Sequence, residues 1–253
     1  MKLKTALTVF VSAVVTLVAV EVYHRMMPPP AAMSRTELQG IIHEYIVAHP
    51  EVLQEAMSEF EKRQQVAETE KARTAIKDQS QAIFNSSRQV TLGNRNGDVT
   101  LVEFFDYNCG YCKQALSDMN TLMKDDGKLR IVLKEFPVLG PGSTEAAQVA
   151  VALRMQDPTG EKYLVFHQKL LGSRGQADKA RAMAAAQEAG ADMARIEADL
   201  RSDEVKASLE ESFKLAESLG INGTPSYVVG NELVVGAAGL AALKEKIKQA
   251  RGG

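Results

Sequence analysis

Two thiols two residues apart can exchange an electron pair with another disulfide. This chain of 253 residues places its only two cysteines at that spacing, Cys109 and Cys112, within FFDYNCGYCK at 104–113. Thiolate is the attacking species in disulfide exchange. A C-x-x-C pair between a strand and a helix is a redox pattern with a mechanism. Free N–H groups and the helix dipole favour negative charge at a helix N-terminus, and thiolates are stabilised there. Cys109 is predicted at that position. Cys112, one turn further in, is the thiol that can resolve a mixed disulfide. Three other uses of the pair are weighed. A structural disulfide over so short a loop would stabilise little. Zinc needs further ligands, and His24, His43, His49 and His167 offer no pair at helical spacing. Copper(I) suits two thiolates, so Cys109 and Cys112 are also a possible Cu(I) site.

The elements that must position the pair are readable around it. Gln89–Leu92 is a strand candidate, and Asn96-Gly97 is a hairpin signal. Thr100–Phe105 reads as a buried strand leading into the cysteines. Lys113–Lys124 carries Ala115, Leu116, Met119, Leu122 and Met123 at helical spacing, and Arg130–Phe136 reads as the next strand. Strand, helix, strand is a βαβ unit. From Ser143 to Gly220 the pattern is helical and alanine-rich, with Gly172, Gly190 and Gly220 as stops. Ser226–Val229 and Glu232–Val235 flank a tight turn at Gly230-Asn231. Leu240–Ala250 closes the chain as an amphipathic helix. No internal repeat is apparent.

The N-terminal part has a different character. Lys2 and Lys4 precede an uncharged run, Thr5–Val20, and the prolines Pro28–Pro30 follow. This describes a secretory signal. The run is short for a membrane span, which needs about 20 apolar residues. No clean small-x-small site follows it, so cleavage and an uncleaved anchor over 1–27 both stand. In either case Lys2 and Lys4 stay inside, and the remainder is expected in the periplasm, where disulfides persist. Pro28–Met33 reads as a linker. Ser34 and Glu37 form a capping-box pattern, and Leu38, Ile41, Ile42, Tyr45 and Ile46 recur on one face. His49-Pro50 interrupts the helix, and a second one carries Leu53, Met57 and Phe60. Residues 61–79 are polar and suggest a solvated helix. The stripe over 34–60 must bury against its own domain or against other copies of the chain. A net charge of −2 points away from nucleic acid as a partner.

The stretches LVEFFDYNCGYC at 101–112 and GTPSYVVGNELVVGAAG at 223–239 resemble the DsbA-like disulfide oxidoreductases of bacterial envelopes. The resemblance covers about 89–253. EYIVAHPEVLQEAMSEFEKRQQ at 44–65 is similar to the N-terminal region of ScsC-type copper-sensitivity suppressors, some of which trimerise through it. The implied fold class is α/β: a thioredoxin fold over 88–253 with a helical insertion at about 143–220, preceded by a helical oligomerisation segment over 34–87. The resemblance also implies a cis peptide bond at Thr224-Pro225, facing the cysteines, with the Thr224 backbone available to a substrate chain. It implies that Glu103, six residues before Cys109, is a buried acid that moves the proton of Cys112. A solvent-facing glutamate is the alternative reading of that position. Lys134 is read either as assisting thiolate formation or as a solvated lysine.

No histidine stands between the cysteines, where strong DsbA-type oxidants have one. Cys-Gly-Tyr-Cys with threonine before the proline resembles the bacterial disulfide isomerases, which are oligomeric. The expected function is therefore an oligomeric, trimeric disulfide isomerase or reductase. The implied partners are misoxidised envelope proteins and a membrane thiol-disulfide reductase of the DsbD/ScsB type, with no cofactor beyond the redox pair. The alternatives are a monomeric DsbA-like dithiol oxidase and a Cu(I)-binding copper-tolerance factor.

Overall fold

The computed structural model describes residues 2–26 and 33–252; the proline run Pro28–Pro30 lies outside the described residues. The chain divides into two compact units, Met1–Lys62 and Arg63–Gly253.

The first unit holds helix α1 (Lys2–Met26), helix α2 (Arg35–Ala48) and the beginning of α3 (Glu51–Asp78). Among the described residues, no helix is long and apolar enough to cross a membrane. The expected capping box opens α2: the Glu37 backbone N–H donates to the Ser34 hydroxyl at 3.2 Å, and the Ser34 N–H to the Glu37 carboxylate at 2.9 Å. The helix breaks at His49-Pro50 as proline requires. The apolar stripe is exposed along both helices, including Leu38, Ile41, Ile42 and Tyr45, then Leu53, Met57 and Phe60.

The second unit is built on a five-stranded sheet of β1 (Val90–Gly93), β2 (Val99–Phe105), β3 (Leu129–Glu135), β4 (Ser226–Val229) and β5 (Glu232–Val235), in the order β1-β3-β2-β4-β5. Strands β2 and β3 are parallel and joined through α5 (Gly110–Asp125); the other pairs are antiparallel. Between β3 and β4 come α6 (Pro141–Gln156), α7 (Glu161–Gly172), α8 (Lys179–Glu188), α9 (Met193–Asp199) and α10 (Asp203–Leu219). Helices α4 (Ser80–Phe84) and α11 (Leu240–Gly252) complete the unit.

Strand β2 is apolar almost throughout because both of its faces are covered. Leu101 and Phe105 pack with Cys112, Ala115 and Met119 of α5 and with Leu243 and Ile247 of α11. Val102 and Phe104 pack on the opposite side with Ile83 of α4 and Leu215 and Leu219 of α10.

Two expectations are corrected here. Asn96-Gly97 does not join a hairpin, because β1 pairs with β3 and β2 lies beyond it. The glycine has another reason: a Cβ at Gly97 would lie 2.5 Å from the Lys128 carbonyl oxygen and 2.7 Å from the Arg130 nitrogen. The helix over 61–79 is not wholly solvated either. Ala72 and Ile76 are buried, Ile76 in one core cluster with Val102 and Phe104, and the second compact unit begins at Arg63.

Candidate active site

The C-terminal end of β2 delivers the chain into a short loop, Asp106–Cys109, and α5 begins at Gly110. Cys109 is the N-cap of α5: its N–H donates to the Asp106 carbonyl at 3.1 Å, and its carbonyl accepts from the Lys113 N–H at 3.1 Å. Cys112 lies in the first turn, fully buried, whereas Cys109 keeps 6% of its surface. Both thiols are free. Between them Tyr111 is 63% exposed. A partner disulfide therefore has readier access to Cys109 than to Cys112.

The loop is clasped by two side chains that the sequence pattern did not reveal. The buried Asp106 carboxylate accepts four hydrogen bonds: from Asn108 N–H at 2.7 Å, Ser143 hydroxyl at 2.7 Å, Val138 N–H at 2.8 Å and Leu139 N–H at 2.9 Å. The Asn108 amide donates to the Ala177 carbonyl at 3.0 Å and accepts from the Ala177 N–H at 2.6 Å. Asp106 thus ties the cysteine loop to the chain leaving β3, and Asn108 ties it to the helical insertion. The available signal was the turn-forming Asp and Asn between a strand and a helix.

The loop before β4 faces the same place. The Thr224-Pro225 peptide bond is cis. Antiparallel register sets Ser226 opposite Phe104, which brings Thr224 to the end of β2. There its carbonyl oxygen accepts from the Cys109 thiol at 3.2 Å.

Glu103 is buried, on the β2 face shared with Leu101 and Phe105 and hence on the side of α5. Burial pushes its carboxyl up to about 8, and the nearby Asp118 charge adds to this. Burial also pushes the Cys112 thiol well above its usual value; the Glu103 charge raises it further, while a backbone hydrogen bond from Asp106 opposes the rise. Tyr227 pairs with Glu103 across β4 and is raised for the same reasons, burial first and then the Glu103 charge. Sequence inspection did not single out Tyr227.

Lys134 is neither solvated nor beside the thiols. It is buried on the opposite face of β3, where its ammonium donates to the Ala82 carbonyl at 2.7 Å and lies 3.7 Å from Glu211. Burial lowers it to about 8, opposed by Glu211. A second buried polar group also went unread. Glu135 accepts from the hydroxyls of Tyr107 (3.2 Å) and Tyr163, and His167 Nδ1 lies 3.5 Å from the Tyr107 hydroxyl. Burial pushes Glu135 up to about 8, and it pushes His167 down to about 3. Among the described residues, no three His, Cys, Asp or Glu side chains converge on a point that could hold a metal ion.

The chain matches the family described as the DSBA-like thioredoxin domain over residues 100–248. The chain belongs to the DsbA-like thioredoxin family. Its β2-α5-β3 unit, helical insertion and β4-β5-α11 unit form the DsbA-like version of that fold. Residues 35–67 also match the copper resistance protein ScsC N-terminal domain. Among solved structures, a thioredoxin-like oxidoreductase from Silicibacter pomeroyi DSS-3 is 40% identical, covering 68% of this chain and 98% of that one at a TM-score of 0.65. The catalytic domain of Proteus mirabilis ScsC is 26% identical over 72% of this chain and 99% of its own, also at 0.65. Among curated proteins, the probable disulfide bond formation protein D of Bacillus cereus is 25% identical over 167 residues, 61% of this chain and 76% of that protein. The chain spans about a quarter (24%) of the Na(+)/H(+) antiporter NhaA 1 of Salinispora arenicola, with 27% identity over 163 residues. In this DsbA-like chain, Cys109, Cys112 and the Thr224-Pro225 loop meet at one end of the sheet, with Glu103 buried on the face that α5 covers.

Proposed function

We propose that this protein is a periplasmic thiol-disulfide oxidoreductase that works as an oligomeric disulfide isomerase or reductase. The carrying observation is the exposed apolar stripe on α2 and the first turns of α3, in a segment that matches the ScsC N-terminal domain. A row of large exposed apolar side chains marks an interaction surface, and a second copy of the same stripe is its simplest cover. A trimer would set several thiol sites around one substrate.

The Cys109 thiolate attacks one sulfur of a substrate disulfide. A Cys109–substrate disulfide forms, and the other substrate sulfur leaves as thiolate. In isomerisation, a substrate thiolate then attacks the mixed disulfide, forms a new substrate disulfide and restores Cys109. In the reductive escape, Cys112 gives up its proton and attacks the Cys109 sulfur. The substrate leaves as a thiol, and the Cys109–Cys112 disulfide is returned to dithiol by a membrane reductase of the DsbD/ScsB type. Glu103 is the acid that exchanges the Cys112 proton in this reading, and the Thr224 backbone aligns the substrate chain. Residues 1–27 serve as an export signal.

The resemblance to disulfide bond formation protein D favours a second reading, a dithiol oxidase. Cu(I) binding by Cys109 and Cys112 is a third role. Two thiolates fit a two-coordinate soft ion, and copper would be held without a further protein ligand.

Light scattering on the chain from residue 33 tests the leading reading, together with Ile41→Asp and Leu53→Asp variants and an assay on scrambled disulfides. Trimer mass and isomerase activity are expected, and both should be lost in the variants. A monomeric parent chain would overturn the reading in favour of the oxidase.

A further inference from the structure

A cavity of 390 Å³ lies at the β1 edge of the sheet, between β1, the start of β3 and the turn joining α6 to α7. Arg130 pairs with Thr100 near the beginning of the parallel β2–β3 ladder. The cavity therefore lies toward the end of the sheet away from Cys109, and the redox chemistry does not use it.

Three guanidinium groups line it, those of Arg95, Arg130 and Arg154. Arg154 is paired with Glu204 at 3.0 Å. Arg95 and Arg130 are not paired with any carboxylate among the described residues. Arg95 donates to the Pro158 carbonyl, and Arg130 to the Asn85 side-chain oxygen at 3.1 Å and the Phe84 carbonyl at 2.8 Å, all neutral groups. The one carboxylate in the wall, Asp157, is already occupied by the Thr159 hydroxyl and the N–H groups of Gly160 and Tyr163. Like charges placed together oppose each other, and the field is felt: burial and the Arg95 charge both lower Arg130.

A dianionic group answers the charges, since guanidinium forks bind phosphate oxygens in pairs. The size says more. At about 30 Å³ per water-sized atom, the four oxygens of a phosphate fill roughly a third of the 390 Å³. The remainder is within the size range of small-ligand sites, which leaves room for the group that carries the phosphate. We propose that this cavity is a binding site for a small phosphate ester, with Arg95 and Arg130 holding the phosphate. The inference is independent of the isomerase reading.

Calorimetric titration of the full chain with glucose 6-phosphate tests it, beside inorganic phosphate and glucose. Saturable binding of one glucose 6-phosphate per chain is expected, with phosphate weaker and glucose silent. Arg95→Gln, on an exposed turn, should weaken binding by about tenfold, the loss of one charge-assisted pair, while cysteine alkylation rates stay unchanged. Arg130→Gln serves as a second variant, with its melting temperature checked because Arg130 also holds Asn85 and Phe84. Vesicles of phosphatidylglycerol in phosphatidylcholine distinguish the source. Competition with glucose 6-phosphate assigns the site to a lipid headgroup, and no competition assigns it to a free ester; both outcomes keep the site. The proposal is overturned if neither glucose 6-phosphate nor phosphate gives saturable heat. It is equally overturned if folded Arg95→Gln and Arg130→Gln proteins bind as the parent does.

Discussion

The Cys109 thiol donates to the Thr224 carbonyl oxygen across 3.2 Å, so the outer cysteine is held by a backbone group that no side-chain substitution removes. The inner cysteine has no comparable exposure. Iodoacetamide should therefore label Cys109 first in the folded protein, and Cys112 only after denaturation. Cys112→Ser should accumulate mixed disulfides with model substrates, and Cys109→Ser should form none. Mass spectrometry of the adducts decides it, and equal labelling of the two thiols would contradict this assignment.

Glu103 gives a pH-dependent prediction with a definite sign. Its folded value is raised to about 8 by burial, so between the ordinary carboxylate range and pH 8 the folded state binds more protons than the unfolded one. Stability then falls as pH rises through that window. Glu103→Gln removes the effect. The variant should gain on the parent from pH 4.5 to pH 8 by on the order of a few kcal/mol, since each unit is about 1.4 kcal/mol. Urea denaturation at both ends of the window measures it; a constant difference would refute it. Glu135, also raised to about 8, contributes equally to both proteins.

Gly142 lies where the first turn of α6 meets the loop clasp. A Cβ there would stand 2.6 Å from the Ala177 carbonyl oxygen, the atom that accepts from Asn108. Gly142→Ala should cost about 1–3 kcal/mol, as overpacking does, and should speed alkylation of Cys109 by loosening its loop. Unchanged stability would mean that the Ala177 segment yields freely.

Ile76 is 2% exposed, in the second core with Val102 and Phe104. Ile76→Ala should destabilise the catalytic unit by about 2–5 kcal/mol. A spacer helix would tolerate the change, so thermal melts of the two proteins separate the possibilities.

The strands near the thiols were legible because each carries a local signal. Ser226–Val229 and Glu232–Val235 are apolar runs separated by a two-residue turn, and both form as read. The cysteine pair, the start of α5 and the capping box at Ser34 are likewise written in adjacent residues. What stayed hidden depends on partners far along the chain. Ile76 is one apolar residue in a polar helix, and only the presence of Val102 and Phe104 makes it core. Asn96-Gly97 has the composition of a hairpin turn, but the competing ladder between β1 and β3 decides its use. Asp106 and Asn108 resemble ordinary turn residues until Ser143 and Ala177 arrive from the insertion. Lys134 follows the alternation of β3 onto the other face, which a spacing argument centred on the cysteines does not reveal.

The shared core of Ile76, Val102 and Phe104 has a mechanical consequence. The helix that enters the second unit thus packs on the face of the sheet that carries Val102 and Phe104, opposite the face that carries Glu103. Strand β2 ends four residues before Cys109. Traction on α3 would therefore be felt in the core layer behind β2, the strand that leads into Cys109.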